Sequence, residues 1–416
     1  MIKKKQVKIN YGLILFLGCF TAAALFPLDP ADDVPELSAR SAVLMDAQTG
    51  AVLYAKNADE PIPPASLTKL MTIHLAQKLA AERNISLDDP VDLPRESWAV
   101  NQAPRSSLMN LAQGQRVSLR ELFLGLAIPS GNDAAVAVAL NFAPTISDFA
   151  ALMNDEAAKL GLKSTTFVEP SGISEDNWTT AMEFSKFCLY YLQKHPENIK
   201  NYHSVREFAY PKPENVPSVA LDRVRTLVKT NHIGLLDTYP GVDGLKTGYI
   251  DESGYNLALT AEQNDTRFIV VILGVPAELG AVRGARVRDA DGQALLDWGF
   301  NHFKTIKPVF PVIPQAKVWK GKQNYAELVS IPKLSGNSQN AITVTVDRGN
   351  DLRWEFVIND IIAPQARGDF AGNLILYDSL GEIENLNLVT VDEVEKGFFL
   401  KRFWHSIVLF FKSLFA

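Results

Sequence analysis

PPASLTKLMTIHL, residues 63 to 75, sets a serine behind a proline pair at the mouth of an apolar helical run, with a lysine one turn further on. Two readings compete. Ser66 can be a helix N-cap whose hydroxyl accepts an orphan amide of the first turn, with Lys69 solvated. Alternatively, Ser66 and Lys69, three residues apart and so on one helix face, can pair as nucleophile and base. A hydroxyl attacks poorly until a base takes its proton, and lysine is a base only when neutral. So short a motif does not decide between them.

The rest of the chain does. Ser130-Gly131-Asn132 stands in AIPSGNDAAVAVAL, between an apolar helix and a second helix whose start is marked by Asn132 and Asp133. Lys246-Thr247-Gly248 stands in GVDGLKTGYI, just ahead of the first of two strand-like runs. Each alone reads as a turn or a strand end. Together they supply the parts of an acyl-transfer centre. Burial and the cation Lys246 would both lower the pKa of Lys69. The amide at the helix start can stabilise an oxyanion. Ser130 can relay a proton to the leaving amine, and Asn132 can hold the substrate's amide. Lys246 and Thr247 can hold a terminal carboxylate, while Gly248 lets a substrate backbone come close. The strand after this motif can pair edge-on with a peptide.

A Ser-x-x-Lys, Ser-x-Asn, Lys-Thr-Gly trio marks penicillin-binding proteins and class A β-lactamases. The sequence resembles that superfamily. More narrowly, it is similar to low-molecular-mass penicillin-binding proteins of the D-alanyl-D-alanine carboxypeptidase type. The likeness runs through ASLTKLMT, SSLMNL, SGNDAAVAVA, GLKSTTF, VDGLKTGYIDESGYNLAL and LLDWGF, and extends to the β-rich region and the tail. It implies an α+β fold: a helix-and-antiparallel-sheet acyltransferase domain, a small all-β domain and a C-terminal amphipathic helix. It also implies Ser66 as the acylated serine, Lys69 as its base, and Ser130 and Asn132 as the middle motif, with Lys246, Thr247 and Gly248 as the third. Tyr249 would supply the second oxyanion amide, where many relatives carry histidine. His232, in TNHIGLL, replaces an arginine of close relatives. Arg288, placed at a helix start, matches a family arginine near the substrate carboxylate, although a surface salt bridge would explain it equally well. The implied substrates are peptidoglycan stem peptides ending in D-Ala-D-Ala, with β-lactams acylating the same serine and no cofactor needed.

The ends carry their own signals. Basic residues at Lys3, Lys4, Lys5 and Lys8, then YGLILFLGCFTAAALF with small residues at Ala22-Ala23-Ala24, describe a secretory signal peptide over 1–24. LGC, ending at Cys19, only faintly resembles a lipoprotein signal. The two cysteines are Cys19 and Cys188; with the first removed, no disulfide forms within the mature chain, and Cys188 reads as an inert residue of a buried helix. The tail, KGFFLKRFWHSIVLFFKSLFA over 396–416, places Lys401, Arg402, His405, Ser406, Lys412 and Ser413 on one helical arc and its aromatics on the other, with Leu409 the exception. Such a helix suits a membrane interface. It cannot easily span, being interrupted by charge.

Between the ends, 47% hydrophobic and 21% charged residues are ordinary globular composition, and the net charge of -6 gives nucleic-acid binding no support. The scattered histidines have no metal-ligand spacing. SAVLMD and AVLYAK read as a hairpin, a helical block runs from Ser66 to about Tyr190, and GYNLALTAEQ and RFIVVILGV read as paired strands. From about Lys304 the short alternating runs KVWKGKQNYAELVSI, AITVTVD, LRWEFVI and NLILYD form a β module. The expected order is a signal peptide over 1–24, a catalytic region over 38–303, a β domain over 304–391 and a membrane-anchoring helix over 396–416. The protein would be exported to the periplasm and lie peripherally on the outer face of the cytoplasmic membrane. A DD-endopeptidase shares the chemistry. A class A β-lactamase would need an acid where Gly131 stands and a deacylating glutamate, for which Glu169 is the one nearby acid. A non-catalytic envelope protein would not need the trio.

Overall fold

The computed structural model describes residues 34–217, 225–331, 342–348, 351–378 and 381–414. The signal-peptide reading over 1–24, with Cys19, lies outside the described residues.

Strands β1 (Ser41–Asp46) and β2 (Val52–Lys56) form the expected antiparallel hairpin. A 3-10 turn, Ala65–Leu67, runs into helix α1 (Thr68–Glu82). After the short pair β3 (Pro90–Val91) and β4 (Val117–Ser118) come α2 (Leu119–Ala127), α3 (Asn132–Phe142), α4 (Ile146–Lys159) and α5 (Ala181–Lys194). Their starts are chemically marked. Ser118 and Glu121 make a capping box on α2, and Thr145 and Thr180 cap α4 and α5. A second short pair, β5 (Glu207–Tyr210) and β6 (Leu227–Thr230), and helix α6 (Leu235–Thr238) precede three long strands, β7 (Val242–Ile250), β8 (Gly254–Gln263) and β9 (Thr266–Val275). Helix α7 (Gly280–His302) closes this part.

The main sheet has the order β2-β1-β9-β8-β7, and every pair in it is antiparallel. Alternation along its strands feeds two cores. Val43, Met45, Ile269 and Val271 pack with α1 to α5 on one face. Ala42, Leu44, Val270 and Ile272 pack with Leu295, Leu296 and Trp298 of α7 on the other. The sheet is therefore sandwiched, which fits the mainly apolar composition of its central strands. Cys188 lies buried and free on α5, where burial pushes its thiol pKa up.

A third core, with Val318, Leu374, Leu376, Leu386 and Leu388, belongs to the C-terminal strands. Their largest sheet orders Leu328–Ile331, Gly381–Thr390, Phe370–Asp378 and Arg353–Ile358 side by side. The KVWKGKQNYAELVSI run divides into Ala316–Trp319, Tyr325–Ala326 and Leu328–Ile331. Gly381–Thr390, a central strand, escaped the sequence reading because GEIENLNL carries acids and asparagines at half-exposed positions. Helix α8 (Phe399–Leu414) ends the described chain. Among the described residues no single helix is long and apolar enough to cross a membrane.

Candidate active site

Ser66 is not a helix cap. It sits inside the 3-10 turn, and no side-chain cap bond is made at either N-terminus there. Neighbouring segments hold the turn. Asn256 of β8 donates to the carbonyl of Pro63 (3.0 Å) while its own oxygen accepts from Gly274 of β9 (2.9 Å). Ala65 takes φ +49°, a strained conformation for a residue with a side chain. Gly172 closes over it so tightly that a Cβ there would lie 1.8 Å from the Ala65 carbonyl oxygen.

Lys69, one turn on, is fully buried. Its Nζ lies 2.9 Å from Ser66 Oγ, 2.8 Å from Asn132 Oδ1 and 2.5 Å from the Ser171 carbonyl oxygen. Of these three, the hydroxyl alone can also donate. A neutral amine therefore fits: two N–H groups go to the amide and carbonyl oxygens, and the lone pair faces the serine proton. Burial pushes the Lys69 pKa down to about 7, against the carboxylates of Glu169 and Asp133, which pull it up.

Glu169, the one acid a β-lactamase reading could use, is spent on its own loop. Its carboxylate accepts from Ser171 N (2.7 Å) and Oγ (2.6 Å), Gly172 N (2.6 Å) and Asn177 Nδ2 (2.9 Å). It thereby aims the Ser171 carbonyl at Lys69. Gly131 has no room for an acid, since a Cβ there would lie 2.7 Å from Asp133 Oδ1 and 2.8 Å from Met109 N. Asp133, read from sequence only as a helix start, accepts the N–H groups of Met109 (2.8 Å), Asn110 (2.7 Å) and Leu111 (3.0 Å). It ties the loop over the cleft to the second motif. Ser130 is buried at φ +59°, and its Oγ has no hydrogen-bond partner among the described residues.

Lys246, Thr247 and Gly248 lie within β7, the end strand of the sheet, rather than ahead of a strand. The edge available to a peptide is thus that of the motif's own strand. Gly248 passes the serine turn closely: a Cβ would lie 3.0 Å from Ser66 N and 2.9 Å from the Pro64 carbonyl oxygen. Lys246 is buried too, and its Nζ donates to the Thr247 carbonyl (2.9 Å). Burial, then the charges of Lys69 and Arg288, hold its pKa well below the ordinary lysine value. The expected repulsion between the two lysines thus appears on Lys246, whereas burial alone lowers Lys69. Tyr249 projects outward, its ring 4.4 Å from that of Tyr255 and its hydroxyl donating to Asp251 (2.6 Å).

Arg288 lies well inside α7, not at a helix start. Its guanidinium is buried, paired to Asp289 (2.7 Å) and donating to the His232 carbonyl (3.3 Å). The His232 imidazole stands at the cleft mouth. Partial desolvation and the cations Lys246, Arg288 and Lys69 push its pKa down.

All these elements meet at one open cleft of about 930 Å³, whose wall includes Ser66, Ser130, Asn132, Thr247, Gly248, Tyr249 and Arg288. Both lysines sit behind that wall. Sequence alone missed the Ser171 carbonyl, Asp133, Asn256 and Gly172, each of which acts through a backbone group or a distant segment. The arrangement can deprotonate a serine, receive an oxyanion and hold a carboxylate. Among the described residues no group of acids, histidines and cysteines could hold a metal ion.

Comparison with known proteins agrees with this chemistry. The family profile described as D-alanyl-D-alanine carboxypeptidase matches residues 29–277. The D-alanyl-D-alanine carboxypeptidase DacC of Escherichia coli is 32% identical, over 96% of this chain and 95% of the relative. The crystal structure of penicillin binding protein 5 from Haemophilus influenzae superposes with a TM-score of 0.72 at 28% identity, covering 88% of this chain and 100% of that one. Penicillin-binding protein D2 from Listeria monocytogenes in its cefotaxime-bound form superposes with a TM-score of 0.54 at 31% identity, covering 64% of this chain and 99% of that one.

Proposed function

The chain belongs to the D-alanyl-D-alanine carboxypeptidase family, and on that premise we propose that Ser66 is its acylated nucleophile and Lys69 the base. The protein is a serine D-alanyl-D-alanine carboxypeptidase, a hydrolase acting on peptidoglycan peptides. The observation that carries the residue assignment is the 2.9 Å approach of a buried Lys69, its pKa near 7, to Ser66 Oγ.

In this reading, Ser66 Oγ attacks the carbonyl between the last two D-alanines as its proton passes to Lys69. The N–H groups of Ser66 and Tyr249 receive the oxyanion. The tetrahedral intermediate collapses, Ser130 passes a proton to the amine of the departing D-alanine, and water later frees the acyl group. Lys246 and Thr247 bind the terminal carboxylate, whose negative charge favours the ammonium form of Lys246. Arg288, on the cleft wall and already paired to Asp289, adds positive charge beside that site. The side-chain Oδ1 of Asn132 serves Lys69, and its Nδ2 serves the substrate. The substrate backbone adds to the free edge of β7.

Penicillin acylates the same serine in this proposal, supported by the cefotaxime-bound relative. Full-length protein should be labelled covalently by fluorescent penicillin and the folded Ser66→Ala variant should not; equal labelling of both would overturn the assignment. A terminal amide in place of the carboxylate should slow cleavage, and equal rates would move the function toward an endopeptidase.

The proposal extends to the chain's organisation: a signal peptide over 1–24, a catalytic region over 38–303, a β domain over 304–391 and a membrane-binding helix over 396–416. Separate hydrophobic cores support the division near 303, and the exposed aromatics of α8 support lipid binding, which export by the signal peptide would place on the outer face of the cytoplasmic membrane.

A further inference from the structure

Four buried side chains bridge the helix that follows Ser66 and the strand that bears Lys246. Gln77, eight residues beyond Lys69 on α1, exchanges two hydrogen bonds with Asn198 (2.9 and 2.7 Å). Asn198 Nδ2 also donates to the Tyr191 hydroxyl (2.8 Å). That hydroxyl lies 2.7 Å from His203 Nε2, and His203 Nδ1 lies 3.1 Å from the Leu245 carbonyl oxygen.

The chemistry allows one direction along this chain. A carbonyl oxygen only accepts, so His203 Nδ1 carries the proton and Nε2 carries a lone pair. Tyr191 must then donate to Nε2, which leaves its oxygen to accept from Asn198. Every donor has an acceptor, and no charge is buried. Burial pushes the His203 pKa down to about 3, with the Leu245 bond opposing and Lys246 adding to the fall, so the ring stays neutral. His203 closes a five-residue π-helical turn, Ile199–His203, a departure from α-helix that is frequent at functional sites. Gly244 marks the same approach from the other side: a Cβ there would lie 2.9 Å from His203 Cβ.

We propose that His203 is a positioning residue for hydrolysis: it grips the Leu245 carbonyl, fixes the peptide plane on which Lys246 is built, and so presents Lys246 and Thr247 to the substrate carboxylate. Gln77, Asn198 and Tyr191 tie that plane to helix α1, which carries Lys69. A fully satisfied buried network of this kind specifies geometry. The inference rests on the carboxylate-binding reading of Lys246 and Thr247.

The test compares full-length wild type with His203→Phe, Tyr191→Phe and His203→Gln. Phenylalanine keeps the ring volume and loses both bonds, whereas glutamine can donate to Leu245 and accept from Tyr191. The probes are a peptide ending in D-Ala-D-Ala as free acid and as amide, and a fluorescent penicillin. His203→Phe should lose roughly ten- to a hundredfold in kcat/KM on the acid, as misplacement by about an ångström does, with a much smaller loss on the amide. Tyr191→Phe should show the same preference at lower amplitude, and His203→Gln should recover most of the activity. Equal losses on acid and amide, or His203→Gln no better than His203→Phe, would overturn positioning and leave a packing role. If His203→Phe does not fold, Tyr191→Phe decides by the same criterion. If wild type cleaves acid and amide alike, the carboxylate reading fails by itself. Penicillin acylation then judges His203: slowing by His203→Phe with recovery in His203→Gln supports positioning, and unchanged labelling overturns it.

Discussion

Below a pH of about 7 Lys69 holds its proton, and an ammonium cannot take one from Ser66. Acylation by penicillin should therefore climb about tenfold per unit as pH rises toward that value and level off above it. Rates measured from pH 5 to pH 9 check this, and a flat profile would remove Lys69 as the base. Gly131 makes a second prediction at this scale. An added methyl group must displace Asp133 or Met109, so Gly131→Ala should cost about 1–3 kcal/mol in urea unfolding and slow labelling, because the loop over the cleft loosens. Unchanged stability would mean that the Asp133 contacts yield freely. The three motifs were legible because their chemistry is written in residues next to one another. The groups that aim them were not: the Ser171 carbonyl reaches Lys69 across 102 positions and Asn256 reaches Pro63 across 193, and no local pattern encodes such a contact.

Elements obey the same division. Helices α2, α4 and α5 fall within the helical block that the sequence shows, and β8 and β9 could be read as paired strand-like runs, β9 with its β-branched residues the clearer. The Gly381–Thr390 strand could not, because its half-exposed face carries Asn385 and Asn387, and its partners rather than its composition make it a strand. The joint between the main sheet and the β-rich region was also invisible. Asp46 of β1 is fully buried and accepts from Thr305 Oγ1 (2.5 Å) and Thr345 Oγ1 (2.9 Å), as well as from Gln48 N (2.7 Å) and Thr49 N (3.0 Å). Thr345→Val keeps the shape and leaves the carboxylate short of a donor, a loss of about 1 kcal/mol. Trypsin should then cut faster at Lys304, while penicillin labelling of Ser66 stays within about twofold of wild type. Unchanged cutting would show that the joint is held elsewhere.

For the whole molecule, the decisive question is which face of α8 meets its surroundings. The sequence offered one polar arc with a single misplaced residue, Leu409. In the structure that arc is the docking face: Lys401 donates to the Lys322 carbonyl (2.9 Å), His405 Nδ1 accepts from Lys320 N (2.8 Å) and Lys412 pairs with Asp360 (2.6 Å). The His405 and Trp319 rings meet edge to face at 5.2 Å, and Leu409 is half-buried on the same side, which accounts for the exception. Phe399, Phe403, Trp404, Phe410, Phe411 and Leu414 stay exposed. A lipid interface would accept that face. Two of the three cations in the arc are turned toward the protein, so charge should contribute little. Among the described residues only Arg402 of the three is left without a side-chain partner, and one such cation near an anionic surface is worth about 1 kcal/mol, or roughly fivefold in affinity, whereas three would give more than about a hundredfold. Binding of the full-length protein to phosphatidylserine-containing vesicles should therefore exceed binding to phosphatidylcholine vesicles by about fivefold. A Phe403→Asp, Phe410→Asp double variant should bind neither while keeping penicillin labelling. A hundredfold preference for anionic vesicles would mean that α8 leaves the β-rich region at the membrane and turns Lys401 and Lys412 to the lipid. Persistent binding by the double variant would put the anchor elsewhere in the chain.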